Sequence, residues 1–141
     1  MNDNQLEVDI KVPNQTRYLS LIGRIGEDIA KELDRYAGNR ETLAHHINLV
    51  LTEAMANAIK YAGAEAPDKM VHICITICTD ELLIKVYDHG QGFDINTIGP
   101  PNFDVLEDRG RGIFIIRSLM DSVQYKKLPD GNVLEMAKKL H

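Results

Sequence analysis

Three short groups of residues in this sequence could do chemistry together. Glu53 and Asn57 stand four residues apart in a helical pattern. A carboxylate there could accept a proton from water or from a protein hydroxyl. The Asn57 amide offers a neutral oxygen to a hard cation such as Mg2+, with phosphates supplying the negative charge. The second group is Asp88-His89-Gly90-Gln91-Gly92, at the end of an alternating run. Asp88 shares the parity of Leu82, Ile84 and Val86, so its side chain points toward the buried face. A buried acid is costly without a donor, and an adenine amino group would serve. Gly90 and Gly92 would let the backbone approach a base or ribose closely. The third group is Gly110-Arg111-Gly112-Ile113, preceded by Arg109 and followed by an apolar helical run. Glycines there expose backbone N–H groups with the helix dipole behind them, which suits phosphate. Taken singly, these groups also describe a solvated helix face, an Asx-turn and a loop end. Gly110–Gly112 is not a P-loop, which would end in Gly-Lys-Ser/Thr, and no parallel β-α-β unit frames it as a dinucleotide fingerprint.

The elements that must position these residues follow from periodicity. Leu6, Val8, Ile10 and Val12 alternate with polar residues, predicting a strand that Pro13-Asn14 stops. Leu19, Ile22, Ile25, Ile29, Leu33 and Tyr36 recur at helical steps, predicting an amphipathic helix from Thr16 to about Tyr36. Gly23 and Gly26 weaken that helix by about 1 kcal/mol each relative to Ala, so a close packing contact is their expected use. A second helix is expected from about Arg40 to Tyr61, with Leu43, Ile47, Val50, Leu51, Ala54 and Ala58 as its core face. Glu53 and Asn57 share a stripe just off one edge of that arc, half shielded where the helix should meet the sheet.

Gly63 to Asp68 reads as a loop. Val71–Cys78 and Leu82–Tyr87 then read as an antiparallel hairpin. Residues 89–111 carry glycines, Pro100-Pro101 and several acids with little periodicity, and a loop this long is usually functional, here a lid over about 93–111. A helix over Ile113–Met120 and strands over Val123–Leu128 and Val133–Lys138 complete the chain, the last two joined at Pro129-Asp130-Gly131-Asn132. The order β-α-α-β-β-lid-α-β-β predicts one α+β domain over 1–141, a two-layer sandwich with helices on one face of a mixed, mainly antiparallel sheet.

Composition narrows the function. The chain has 141 residues, 44% hydrophobic and 26% charged, as in soluble globular proteins. A net charge of −5 argues against direct nucleic-acid binding, although Arg109 and Arg111 make a small basic cluster. The sequence shows no signal peptide and no apolar run near the length of a membrane span, so the expected compartment is cytoplasmic, with no membrane partner. Cys74 and Cys78 are not a C-x-x-C pair and lack zinc-type spacing, so they read as structural thiols. His45-His46 reads as helix surface, and His89 within the glycine loop could touch a nucleotide.

The series helical Glu-x-x-x-Asn, strand-terminal Asp-x-Gly-x-Gly, lid and Gly-x-Gly helix start resembles, over almost the full chain, the Bergerat fold. That ATP-binding fold is shared by gyrase, the Hsp90 chaperones, MutL and the histidine kinases. The short lid and small size look most like the bacterial anti-sigma factor serine/threonine kinases. The resemblance implies ATP and Mg2+ as cofactors, Glu53 as catalytic base and Asn57 as Mg2+ ligand. It implies Asp88 as the acid that binds the adenine amino group, with Gly90 and Gly92 shaping the base pocket. Gly110 and Gly112, leading into Ile113, would close over the phosphates, with Arg109 and Arg111 in the lid toward the γ-phosphate. Lys60-Tyr61 matches a Lys-Tyr pair found in histidine-kinase relatives, where the anti-sigma kinases usually have His at the second position. Asn132 stands where a Thr usually helps hold adenine. The first helix has no obvious match to the subfamily's partner-contacting Arg. The implied partners are an anti-anti-sigma (STAS-type) protein and an RNA polymerase sigma factor, and the implied assembly is a homodimer through the first strand and helix. A non-catalytic, ATP-gated binding module is the alternative function.

Overall fold

The alternation of apolar residues in five segments dictates a sheet with one buried face, and the computed structural model, which describes residues 6–34, 36–61, 66–89 and 111–141, has that sheet. The strands are β1 (Leu6–Asn14), β2 (Ala66–Ile77), β3 (Glu81–Asp88), β4 (Ser122–Leu128) and β5 (Gly131–Lys139), in the spatial order β1-β2-β3-β5-β4. The helices are α1 (Leu19–Lys31), α2 (Arg40–Tyr61) and α3 (Arg111–Leu119), with a 3-10 turn at Thr16–Tyr18 before α1.

Every pairing between these strands is antiparallel, which corrects the expectation of a mixed sheet. The reason is connectivity. Two helices between β1 and β2 return the chain in the opposite direction, so these neighbours run antiparallel. β3 and β4 point the same way after the single crossover through α3, but β5 inserts between them and separates the would-be parallel pair.

α2 crosses the inner face of the sheet. Ile73, Ile75, Ile84, Val86, Leu134 and Met136 from the strands are all buried, as are Ile47, Val50, Leu51 and Ala54 from the helix. Fully burying such a side chain contributes about 1.5–3 kcal/mol, so packing rather than helix propensity holds α2 in place. Ala44, Met55 and Ile59 are buried as well, because α2 also packs against α1 and α3 and needs a wider apolar arc than one sheet contact requires. Asn39 caps the helix, its Oδ1 accepting from Thr42 N–H at 3.1 Å.

Three boundaries differ from the sequence expectation. α1 ends at Lys31 rather than near Tyr36, because Glu32 and Leu33 N–H bond to the Ile29 and Ala30 carbonyls and tighten the last turn. Leu33 still reaches the core at 2% exposure, so the periodicity marked a real apolar face while the backbone left the helix. Ala37 N–H then bonds to the Leu140 carbonyl at 2.9 Å, tying this turn to the end of the chain. β1 continues through Pro13 to Asn14, since an edge strand tolerates a missing donor. β2 starts at Ala66, inside the expected loop, because the ladder with β1 resumes there after a register shift between Pro13 and Asn14.

Candidate functional site

The stripe carrying Glu53 and Asn57 meets the first turn of α3. Both side chains are half-buried, as expected, and their neighbour is the start of a helix. Gly112 makes the approach possible. A Cβ added there would lie 2.7 Å from Glu53 Oε2 and 3.2 Å from Asn57 Nδ2. Any larger residue would push the acid and the amide away from the N-terminal end of α3, where backbone N–H groups and the helix dipole favour negative charge. Asn57 Nδ2 is buried and has no hydrogen-bond partner among the described residues. A buried amide donor without a partner costs about 1–3 kcal/mol, so it suits a site completed by a ligand. In this orientation the amide suits a phosphate oxygen, and a half-turn presents Oδ1 to a cation.

The acid at the end of β3 is held from two sides. Asp88 points inward at 8% exposure, as strand parity requires. It lies opposite Asn132 in the β3–β5 ladder, and Asn132 Nδ2 donates to Asp88 Oδ1 at 3.0 Å. Tyr125 Oη donates to Asp88 Oδ2 at 3.3 Å. Two donors, one on each oxygen, fix the carboxylate plane. The β5 backbone comes so close here that a Cβ on Gly131 would overlap the Asp88 carbonyl oxygen. A small cleft beside Asp88 is lined by Asn14, Lys69, Met70, Val71 and His89, and His89 Nδ1 sits 3.3 Å from the Asp130 carbonyl oxygen.

Tyr125 and the buried Asn14 were missed by sequence reasoning. Strand parity on β4 puts Val123 and Tyr125 on the helix side, and that signal could have found the tyrosine. Asn14 had none, because its burial depends on β1 running past Pro13. Among the other expected residues, Lys60 is exposed in the last turn of α2, on the Glu53–Asn57 stripe. Arg111 opens α3 and is half-buried. Ile113 is 1% exposed and its side chain belongs to the core, so it could meet a ligand only through its backbone N–H. Gly90, Gly92, Arg109, Gly110, the lid before Arg111 and the Tyr61 side chain lie outside the described residues.

The model of the histidine kinase-like ATPase domain matches residues 13–138. The chain belongs to the histidine kinase-like ATPase family. The serine-protein kinase RsbW of Staphylococcus aureus is 31% identical over 140 residues, covering 93% of this chain and 85% of that protein. RsbW of Staphylococcus epidermidis is 29% identical, covering 98% and 89%. The resemblance to this kinase subfamily drawn from Glu53, Asn57, Asp88 and the glycines is thus borne out. Two solved structures share the fold. One is a chain of the SiaB–SiaC complex from Pseudomonas aeruginosa (TM-score 0.60, 14% identity, 97% of this chain and 91% of that one). The other is the histidine kinase domain of a blue-light-activated kinase from Erythrobacter litoralis (TM-score 0.53, 20% identity, 91% and 61%). The Bergerat architecture therefore holds, with its sheet wholly antiparallel among the described strands.

Membership of an ATPase family implies ATP binding, and the chemistry of the residues gathered here fits that ligand. The Gly112 cradle, the buried Asn57 amide and the inward Asp88 lie on the helix side of the sheet. Asn132 has a visible role beside Asp88. Its amide reaches the Asp88 carboxylate directly and helps fix it. No helix among the described residues is long and apolar enough to cross a membrane.

Proposed function

We propose that this protein is an ATP-dependent serine/threonine kinase that also acts as an anti-sigma factor. It binds an RNA polymerase sigma factor and phosphorylates an anti-anti-sigma partner. The observation that carries the reading is the seam at Gly112, where a carboxylate, a buried amide with no partner among the described residues and the start of a helix converge.

The roles of the residues follow from their chemistry. Asp88, fixed by Asn132 and Tyr125, accepts a hydrogen bond from the adenine amino group. Asn57 is the protein ligand for Mg2+, which when bound neutralises phosphate charge. Backbone N–H groups from Gly110 to Ile113, with Arg109 and Arg111, receive the phosphates, and Lys60 adds positive charge from the same stripe of α2. Gly90 and Gly92 shape the base pocket. Glu53 takes the proton from a Ser or Thr hydroxyl of the partner, and positioning supplies much of the acceleration. Its identity as an acid favours a kinase over a module that only binds nucleotide, since binding alone needs no base.

The S. aureus and S. epidermidis relatives, named as serine-protein kinases and aligned over nearly the whole chain, support the activity. The partners, the cytoplasmic setting and a homodimer through β1 and α1 are proposed from the same resemblance. Purified protein is incubated with labelled ATP, Mg2+ and a STAS-type partner. Label on a partner Ser or Thr is the expected result. Saturable ATP binding without phosphoprotein or ADP would replace the kinase with the ATP-gated binding module. Solution mass tests the dimer.

A further inference from the structure

The outer face of the sheet, opposite the one that carries the helices and the Asp88 side chain, holds a polar cluster that the ATP site does not use. Asp9 on β1 lies directly opposite Cys74 on β2 in the antiparallel ladder, and His72 sits two residues before Cys74 on the same face. His72 Nε2 is 3.3 Å from Cys74 Sγ and 3.4 Å from Asp9 Oδ1, and the three donor atoms all lie within 4.8 Å of one another.

His72 Nε2 is approached by both the Cys74 thiol and the Asp9 carboxylate, and the thiol also hydrogen-bonds to that carboxylate, so three potential metal ligands converge on one point. A shared cation fits that convergence. A tetrahedral zinc ion holds an imidazole nitrogen about 3.4 Å from a carboxylate oxygen and about 3.6 Å from a thiolate, and the two separations here are 3.4 and 3.3 Å. Sulfur, imidazole and carboxylate together select a borderline-soft divalent metal over Mg2+ or Ca2+.

We propose that Asp9, His72 and Cys74 form a binding site for one divalent transition-metal ion of the zinc class, linking edge strand β1 to β2. The ion is held by one thiolate, one neutral imidazole and one carboxylate, so its charge of +2 is balanced, and a fourth position faces solvent. The His72 ring stacks on Tyr87 of β3, centroids 5.4 Å apart and planes 23° from parallel, which holds the imidazole for coordination. The charged side chains around the three ligands are Glu7 and Lys11 from β1 and Lys85 from β3. Sequence spacing could not show this site, since Asp9 reaches it only through strand pairing.

The test is a titration of the metal-stripped full chain, without nucleotide, with Co2+ alone and then Zn2+. One Co2+ per chain with a thiolate-to-cobalt charge-transfer band, displaced by one Zn2+, is the expected result. Cys74→Ser should abolish the band. His72→Ala and Asp9→Asn should each weaken binding by about tenfold or more. Cys78→Ser should leave it unchanged. Asp9→Asn changes an exposed side chain and so tests the site even if Cys74→Ser misfolds. Absence of a thiolate band in the wild-type chain, or its survival in Cys74→Ser with unchanged affinity in Asp9→Asn, would overturn the proposal.

Discussion

α2 is flanked by two seams made with the same device, a glycine on the neighbouring helix that lets polar side chains of α2 come close. On the α1 side, a Cβ at Gly23 would meet Asn48 Oδ1 at 2.5 Å and Thr52 Oγ1 at 2.6 Å, and one at Gly26 would overlap the Leu51 side chain. On the α3 side, Gly112 does the same for Glu53 and Asn57. The seams differ in what the polar groups then do. Asn48 Nδ2 donates to Glu27 Oε2 at 2.9 Å and Thr52 Oγ1 donates to Asn48 Oδ1 at 3.3 Å, so the α1 seam completes its bonds within the protein. At the α3 seam the Asn57 amide nitrogen is buried without a partner among the described residues. A satisfied polar seam joins two helices, whereas one left open invites a ligand.

The comparison can be broken from its functional side first. Glu53→Ala should lower phosphate transfer by about 10²–10⁴-fold while ATP affinity stays near wild type, measured by labelled transfer to the partner and by nucleotide titration. Normal transfer by that variant would remove Glu53 from the mechanism. Gly112→Ala adds a methyl 2.7 Å from Glu53 Oε2, and the displacement this forces should cost about 10²-fold in transfer, with little change in the thermal midpoint. Equal loss of stability and transfer would make the α3 seam structural, like its counterpart.

On the α1 side the effect should fall on stability alone. Gly26→Ala forces a Cβ into Leu51 and should destabilise the fold by about 1–3 kcal/mol in urea denaturation, with transfer per folded molecule unchanged. Asn48→Ala should have the smallest effect, and a pH-dependent one. Glu27's carboxyl is held below its ordinary 4.5 first by the Asn48 amide and then by Lys31. A carboxyl lowered in the fold contributes stability above its unfolded value and loses it as pH falls through the folded value. The stability gap between wild type and Asn48→Ala should therefore be full at neutral pH and close in acid. A gap independent of pH would mean that Asn48 acts through packing.

The sequence alone determined the elements and the parity of the site. Period-two alternation turned Asp88 inward, and helical spacing put Glu53 and Asn57 on one half-shielded stripe at the edge of a buried face. These are local consequences of backbone geometry, so a linear reading reaches them. Tertiary structure decided which elements met. β5 inserted between β3 and β4, making the sheet antiparallel and setting Asn132 opposite Asp88. β1 ran past Pro13 because it lies at the edge, which buried Asn14. Register brought Asp9 to His72 and Cys74 across 63 and 65 positions of sequence, and α3 docked its glycine on Glu53. Such contacts depend on strand order and docking distance, which the residue periods do not encode.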